Sequence, residues 1–254
     1  MLLTRVMPCL LLKNDRLVKT IQFKDANYVG DPVNAIKIYN EKQVDELVVL
    51  DISATIEGRK PPFDAIGQIA DECFMPLTYG GGIKNLEDAR RLFSLGVEKI
   101  VVNSHAVENP AFITQASDVF GAQAVLVSID AKKTVSGYEV FTHSGTKPTG
   151  LEPAAFAKDM QQRGAGEIFL TSIDHEGTLQ GYDLELIRQV SHAVSIPVIA
   201  CGGAWELTHF KQAVDAGASA VAAGSMAVYL GRNRAVLINF PNAQELSAAL
   251  NEKR

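Results

Sequence analysis

The chain has 254 residues, 47% of them hydrophobic, and a formal net charge of −5. That balance provides no general basic field for nucleic acid or an anionic membrane surface, so only local basic sites remain. The length suits one α/β barrel of about 250 residues, and no run of roughly 18 apolar residues marks a membrane span.

Arg5 and Lys13 flank an apolar run too short and too interrupted for a secretory signal, so a cytoplasmic protein is expected. Cys9, Cys73 and Cys201 form no CxxC pair, the pattern of free thiols in a reducing compartment. In chain order, strands are expected at Arg5–Leu12, Glu46–Asp51, Met75–Tyr79, Lys99–Asn103, Ala124–Ile129, Ile168–Ser172, Pro197–Cys201 and Ala220–Ala223. Most are almost continuously apolar, as parallel strands covered by helices are. Between them run amphipathic stretches such as NLEDARRLFSLG, where Leu86, Ala89, Leu92 and Phe93 fall at helical spacing. This alternation predicts an α/β fold, a single (β/α)8 TIM barrel over residues 1–254, with no linker dividing it. The irregular stretches Lys13–Pro32 and Lys132–Thr149 read as loops on the barrel top.

The halves, about 1–122 and 123–254, repeat each other. GGIKNLEDARRLFSLGVEKIVVNS (81–104) aligns without a gap on GGAWELTHFKQAVDAGASAVAAGS (202–225). Glu46 likewise meets Glu167, and Pro76 meets Pro197. Such a repeat suits a barrel built by duplication. In each half a strand ends in two glycines and a helix follows, which turns backbone N–H groups toward an approaching anion. Two phosphate sites are therefore expected on the C-terminal face, at Gly81, Gly82, Asn103 and Ser104 and at Gly202, Gly203, Gly224 and Ser225. The GxxxxGK[ST] spacing of a P-loop is absent. VMPCLLLK (6–13) aligns on VLVSIDAK (125–132), which sets Leu11 opposite Asp130. An aspartate at the C-terminal end of a barrel strand reads as a catalytic acid or base.

GDP (30–32), DELVVLDISA (45–54), YGGGI (79–83), SIDAKK (128–133), GAGEIFLTSID (164–174), GYDLELI (181–187) and PVIACGGA (197–204) carry a family resemblance. Over nearly its full length the chain resembles the cyclase subunit of imidazole glycerol phosphate synthase. The resemblance implies a barrel that binds a substrate with a phosphate at each end, without a cofactor or metal. It implies ammonia from a glutaminase subunit docked on the N-terminal face, and two aspartates as general acid and base. The second matches Asp130 and the first falls on Leu11, which cannot transfer a proton. The resemblance also adds Gly177 to the phosphate set and Lys19, Asp51, Thr171 and Glu176 to the substrate pocket. Glu176 stands in DHEGT where the family has an aspartate, and Tyr79 stands where it prefers a small aliphatic residue, which suggests a reshaped pocket.

Arg5, Glu46, Lys99 and Glu167 match the family's charged ring through which ammonia enters, and Thr78 is a polar wall further along. A salt-bridged plug that only closes the barrel is the plainer alternative. With the gate kept and one acid lost, the chain resembles the divergent cyclase-like proteins of surface-polysaccharide gene clusters. In these, ammonia passes to a separate sugar amidotransferase, and RAVLINFP (234–241) extends strand-8 territory in a form the histidine enzymes do not share. A histidine-pathway cyclase with its acid moved to Glu57, Glu176 or Asp15 is the second expectation, and a scaffold that activates a glutaminase the third. The related isomerase also has twinned phosphate sites but lacks the ring. His105, His143, His175, His192 and His209 show no metal-binding spacing; His143 and His175 are expected in top loops near substrate. Cys9 and Cys201 are expected in the core, and Trp205 beside the second glycine pair.

Overall fold

The computed structural model describes residues 3–231 and 233–251; the extreme ends of the expected 1–254 domain, and Arg232, lie outside the described residues. The chain opens with β1 (Arg5–Lys13), β2 (Arg16–Ile21) and β3 (Lys24–Gly30), followed by β4 (Leu47–Asp51), β5 (Leu77–Gly80) and β6 (Lys99–Val102). The second half holds β7 (Val125–Thr134), β8 (Gly137–Thr142), β9 (Lys147–Pro148), β10 (Glu167–Ser172), β11 (Val198–Cys201) and β12 (Ala220–Ala223). A small separate hairpin, β13 (Tyr229–Leu230) and β14 (Ala235–Val236), precedes the last helix, Ala243–Leu250.

Strands β10, β11, β12, β1, β4, β5, β6 and β7 pair in that order, all parallel, and β7 pairs with β10 to close the barrel. Helices connect successive barrel strands, so this is a (β/α)8 barrel, as the alternation of elements predicts. Side chains alternate across each strand. Met7, Cys9 and Leu11 of β1 therefore join Val48, Val101, Leu126, Phe169, Ile199, Ala220 and Ala222 inside the barrel. Val6, Leu10 and Leu12 point the other way, into the larger layer packed under the helices. Among the described residues no helix is long and apolar enough to cross a membrane.

Both stretches expected as irregular loops are instead largely strand. β2 runs back antiparallel on β1 and β3 on β2, while β8 and β9 extend the sheet from β7. The turn Asn14–Asp15 holds both residues at positive φ (51° and 59°), the geometry of a two-residue hairpin that Asn and Asp tolerate. Gln22–Phe23 makes a second such turn at φ 53° and 64°, against the preference of both residue types. RAVLINFP does not prolong the eighth barrel strand either. β12 ends at Ala223, and residues 235–236 pair with Tyr229 and Leu230 away from the barrel.

Tyr39, in the first helix after β3 (Pro32–Lys42), shows how the ends of the chain are joined. Its hydroxyl, fully buried, donates to the Ala227 carbonyl at 2.8 Å, and its ring meets Phe240 edge-on. Removing the hydroxyl costs that buried hydrogen bond and leaves the Ala227 carbonyl with the Asn239 N–H alone, at 3.1 Å. Tyr39→Phe is therefore expected to lower unfolding free energy by about 0.5–1.5 kcal/mol, measured by urea denaturation, with the fold unchanged by circular dichroism.

Candidate functional site

The site has two ends on one axis. At the N-terminal end, Arg5 and Lys99 begin β1 and β6, Glu167 begins β10, and Glu46 immediately precedes β4. Their inward direction makes a closed ring. Arg5 Nη1 donates to Glu46 at 2.6 Å and Nη2 to Glu167 at 2.6 Å. Lys99 Nζ donates to Glu46 at 2.9 and 3.1 Å and to Glu167 at 3.1 Å. Thr78, fully buried, donates to Glu46 at 2.6 Å. Thr78 thus belongs to the ring itself rather than to a wall above it. Burial alone would raise the Glu46 carboxyl, but Thr78, Lys99 and Arg5 outweigh it and hold it below its ordinary range. Burial also works against the Arg5 charge, and the contacts with Glu167 and Glu46 overcome it. Each carboxylate serves two cations, so losing one member unbalances the rest.

At the C-terminal end a single cavity gathers the expected pocket. It is lined by Leu11 and Asp130, by Lys19, Asp51, Thr171 and Glu176, and by Gly81, Gly82, Asn103, Ser104, Gly177, Gly202, Gly203, Gly224 and Ser225. The strand order puts β1 and β7 on opposite sides of the barrel, so Leu11 and Asp130 face the cavity from opposite walls. The register repeats as well: Leu11 pairs with Leu50 where Asp130 pairs with Thr171. Asn103 Nδ2 donates to Asp130 at 3.1 Å and Ser128 Oγ at 3.3 Å. Burial pushes the Asp130 carboxyl up to about 7; those two hydrogen bonds pull the other way, and the charge on Glu176 adds to the rise. Such a group exchanges a proton near neutral pH.

The glycine pairs are required by sterics. Gly82 (φ +73°) and Gly203 (φ +103°) lie in a region L side chains avoid, and a Cβ at Gly203 would stand 2.0 Å from the Gly181 carbonyl oxygen. Gly177 (φ +72°) presses on β2 in the same way, 2.4 Å from the Thr20 carbonyl oxygen. The two serines differ. Ser104 Oγ accepts the His143 N–H at 3.0 Å and donates to Asn103 at 3.2 Å. Ser225 Oγ, equally buried and lining the cavity, has no hydrogen-bond partner. Asp51 organises the turn after β4, accepting from Ser53 N at 2.9 Å and Ala54 N at 3.0 Å, with Arg59 at 3.4 Å. Lys19 and Glu176 form a buried pair at 2.8 Å, and Glu176 also takes Thr20 Oγ1 at 2.9 Å. Burial works against the Lys19 charge, but Glu176 more than compensates and raises it.

Several expectations are corrected. Tyr79 does not reshape the pocket: Thr78 points inward, so its neighbour Tyr79 points outward and is buried in the layer under the helices, its hydroxyl unpaired. Of the candidates for a relocated acid, only Glu176 lines the cavity; Glu57 is exposed and paired with Arg59 at 2.5 Å, and Asp15 sits at the tip of the first hairpin. His143 and His175 are in top loops but do not line the cavity; His105, which does, was not expected there. Cys9 and Cys201 both line the cavity as well, from the inner face of β1 and β11. Trp205 does not. Among the described residues no cluster of His, Cys, Asp and Glu is arranged to hold a metal ion.

The Asp130 environment has a measurable sign. Its folded-state pKa lies above the unfolded value, so ionisation destabilises the fold. Stability is expected to fall as pH rises from about 4 to about 7 and to level off above that. Asp130→Asn removes this slope. Its stability relative to wild type should rise over the same window, by an amount on the order of a few kcal/mol, read from urea midpoints between pH 4 and 9.

The geometry can be set beside known proteins. A family model described as "Histidine biosynthesis protein" matches residues 5–232. A protein of Leptospira borgpetersenii, provisionally named imidazole glycerol phosphate synthase subunit HisF, is 49% identical over 251 residues, 98% of this chain and 99% of its own length. A similarly named hisF2 protein of Pseudomonas aeruginosa is 47% identical over 95% of this chain and 97% of its own length. The imidazole glycerol phosphate synthase subunit HisF of Exiguobacterium sibiricum is 46% identical over 89% of this chain and 91% of its own length. The phosphate-style glycine pairs, the four-charge ring and these similarities agree, and the chain belongs to the histidine biosynthesis protein family, as a HisF-like barrel.

Proposed function

We propose that this barrel is the ammonia-receiving synthase subunit of a glutamine amidotransferase pair in which cyclisation has been given up at Leu11. A glutaminase docks around the ring of Arg5, Glu46, Lys99 and Glu167, and ammonia crosses the apolar inner layer toward the pocket. Neutral ammonia crosses such a layer far more cheaply than ammonium, which would leave its charge unpaired. At the pocket a phosphorylated small molecule or phosphate is held by the twin glycine and serine cradles. The nitrogen is then consumed in the amidation of a surface-polysaccharide sugar by a separate amidotransferase.

The observation that carries this reading is Leu11, which lines the pocket opposite Asp130 where the duplicated half has its acid. Removing one proton-transfer group typically costs roughly 10²–10⁴-fold in rate. The second reading, a working imidazole glycerol phosphate synthase cyclase of histidine biosynthesis, is favoured by the names of the relatives and by Asp130 with Glu176 nearby. Ammonium salts in place of glutaminase separate the two. Wild type should form little or no imidazole glycerol phosphate from the histidine-pathway ribonucleotide, and Leu11→Asp should restore part of it. Wild-type turnover of about 1 per second or faster, a rate ordinary for enzymes, would establish the cyclase and remove the first reading.

The ring is tested in the Leu11→Asp background, where product can be followed. Lys99→Ala or Glu167→Ala should depress glutamine-driven synthesis by the glutaminase complex while sparing ammonium-driven synthesis. Equal rates from both nitrogen sources in these variants would reduce the ring to a structural plug.

A further inference from the structure

The two anion cradles are not equally supplied with charge. In the repeat, Lys84 follows the first glycine pair and lines the cavity, but the matching residue after the second pair is Trp205, which is uncharged and does not line it. Lys19 lies against Gly224 in the second cradle, its Nζ 2.7 Å from where a Cβ would be, but its charge is already matched by Glu176 at 2.8 Å. A phosphate monoester is close to a dianion at neutral pH. Among the described residues of the repeat, the second cradle therefore lacks the unmatched cation that Lys84 gives the first.

The β13–β14 hairpin provides one. Arg234 Nη2 donates to the Gly177 carbonyl at 2.8 Å, which holds the guanidinium at the edge of the cavity that Gly177 lines, itself outside the lining. Among the described residues no carboxylate pairs with Arg234, and its remaining guanidinium N–H groups find no acceptor there. Ser225, which is 5% exposed and lines the same cradle, has a hydroxyl with no partner. A buried polar atom left unpaired costs free energy unless a ligand supplies the bond. We propose that Arg234 is a ligand-recognition residue of the second cradle, and that with Ser225 it binds the phosphate monoester at that end of the ligand. Planar guanidinium suits this because it can bind two phosphate oxygens at once. The proposal rests on the phosphate-binding part of the function above and adds to it a cation from outside the repeat.

Inorganic phosphate titrated into the full chain, followed by amide NMR, reads the cradles separately: Gly82 and Ser104 for the first, Gly203 and Ser225 for the second. Arg234→Gln should weaken phosphate roughly tenfold at the second cradle, the scale of one charge-assisted hydrogen bond, and leave the first unchanged. Arg234→Lys should recover part of the loss. Unchanged affinity at Gly203 and Ser225 in Arg234→Gln would overturn the proposal while leaving phosphate binding intact. No response at either cradle in wild type would remove phosphate binding itself. Should Arg234→Gln disturb the Tyr229 and Val236 amides, Arg234→Lys decides: full loss there with the same disturbance assigns Arg234 to holding the hairpin, and recovered binding assigns it to the ligand.

Discussion

The closing pair of β7 and β10 is the constraint on which the rest depends. Once Glu167 lies beside Leu126 and Ser172 beside Ala131, the barrel is shut and every barrel strand has one inner and one outer face. The inner faces stack along a common axis. Four charges are met first, then a layer of Met7, Val48, Leu126, Phe169 and Ile199, then the polar pocket. No single strand contains that order. It arises because residues of eight strands at comparable depth become neighbours. The same closure sets Asp130 next to Thr171 and sends Tyr79 away from the pocket.

Duplication then explains why the pocket is almost symmetric and where it is not. Both halves have a glycine pair at positive φ and a buried serine after the following strand. The departures are individual side chains: Leu11 against Asp130, Lys84 against Trp205, and a Ser104 hydroxyl engaged by the His143 N–H against an unpaired Ser225 hydroxyl. Loops outside the repeat add their own asymmetry. The β2–β3 hairpin brings Lys19 and Thr20 onto Glu176, whereas the β7–β8 extension brings His143 onto Ser104.

Much of this was legible in the sequence, and the exceptions have physical causes. The barrel strands stood out because apolar β-branched runs bounded by glycine have little other use in so regular a series. The ring was legible because its members sit at strand starts, where position along the axis is fixed by the strand itself. Tyr79 misleads in the sequence because it adjoins the glycines, whereas Thr78 takes the inward direction and turns Tyr79 outward. The hairpins at 13–32 and 132–149 are hard to read because β3 is polar and exposed and β2 buries Lys19 and Thr20 beside Leu17 and Val18, so neither strand alternates clearly, although Asn14–Asp15 is a usable turn signal. Arg234 could not have been found. Its link to Gly177 spans the sequence from the last hairpin to the sixth barrel strand's loop, and only the folded chain joins them.

The cradle and the acid position stand under different kinds of protection. A side chain at Gly203 collides with the Gly181 carbonyl oxygen, so almost any replacement there damages folding as well as binding. Leucine and aspartate, by contrast, both branch at Cγ and have the same number of side-chain heavy atoms, and at position 11 the barrel accommodates leucine within its apolar inner layer. A lineage screened only for folded protein would retain the glycine turns and be free to exchange leucine and aspartate at position 11. In such a scaffold the means of holding a ligand outlasts the means of transforming it, and new uses for the barrel begin from a binding site already in place.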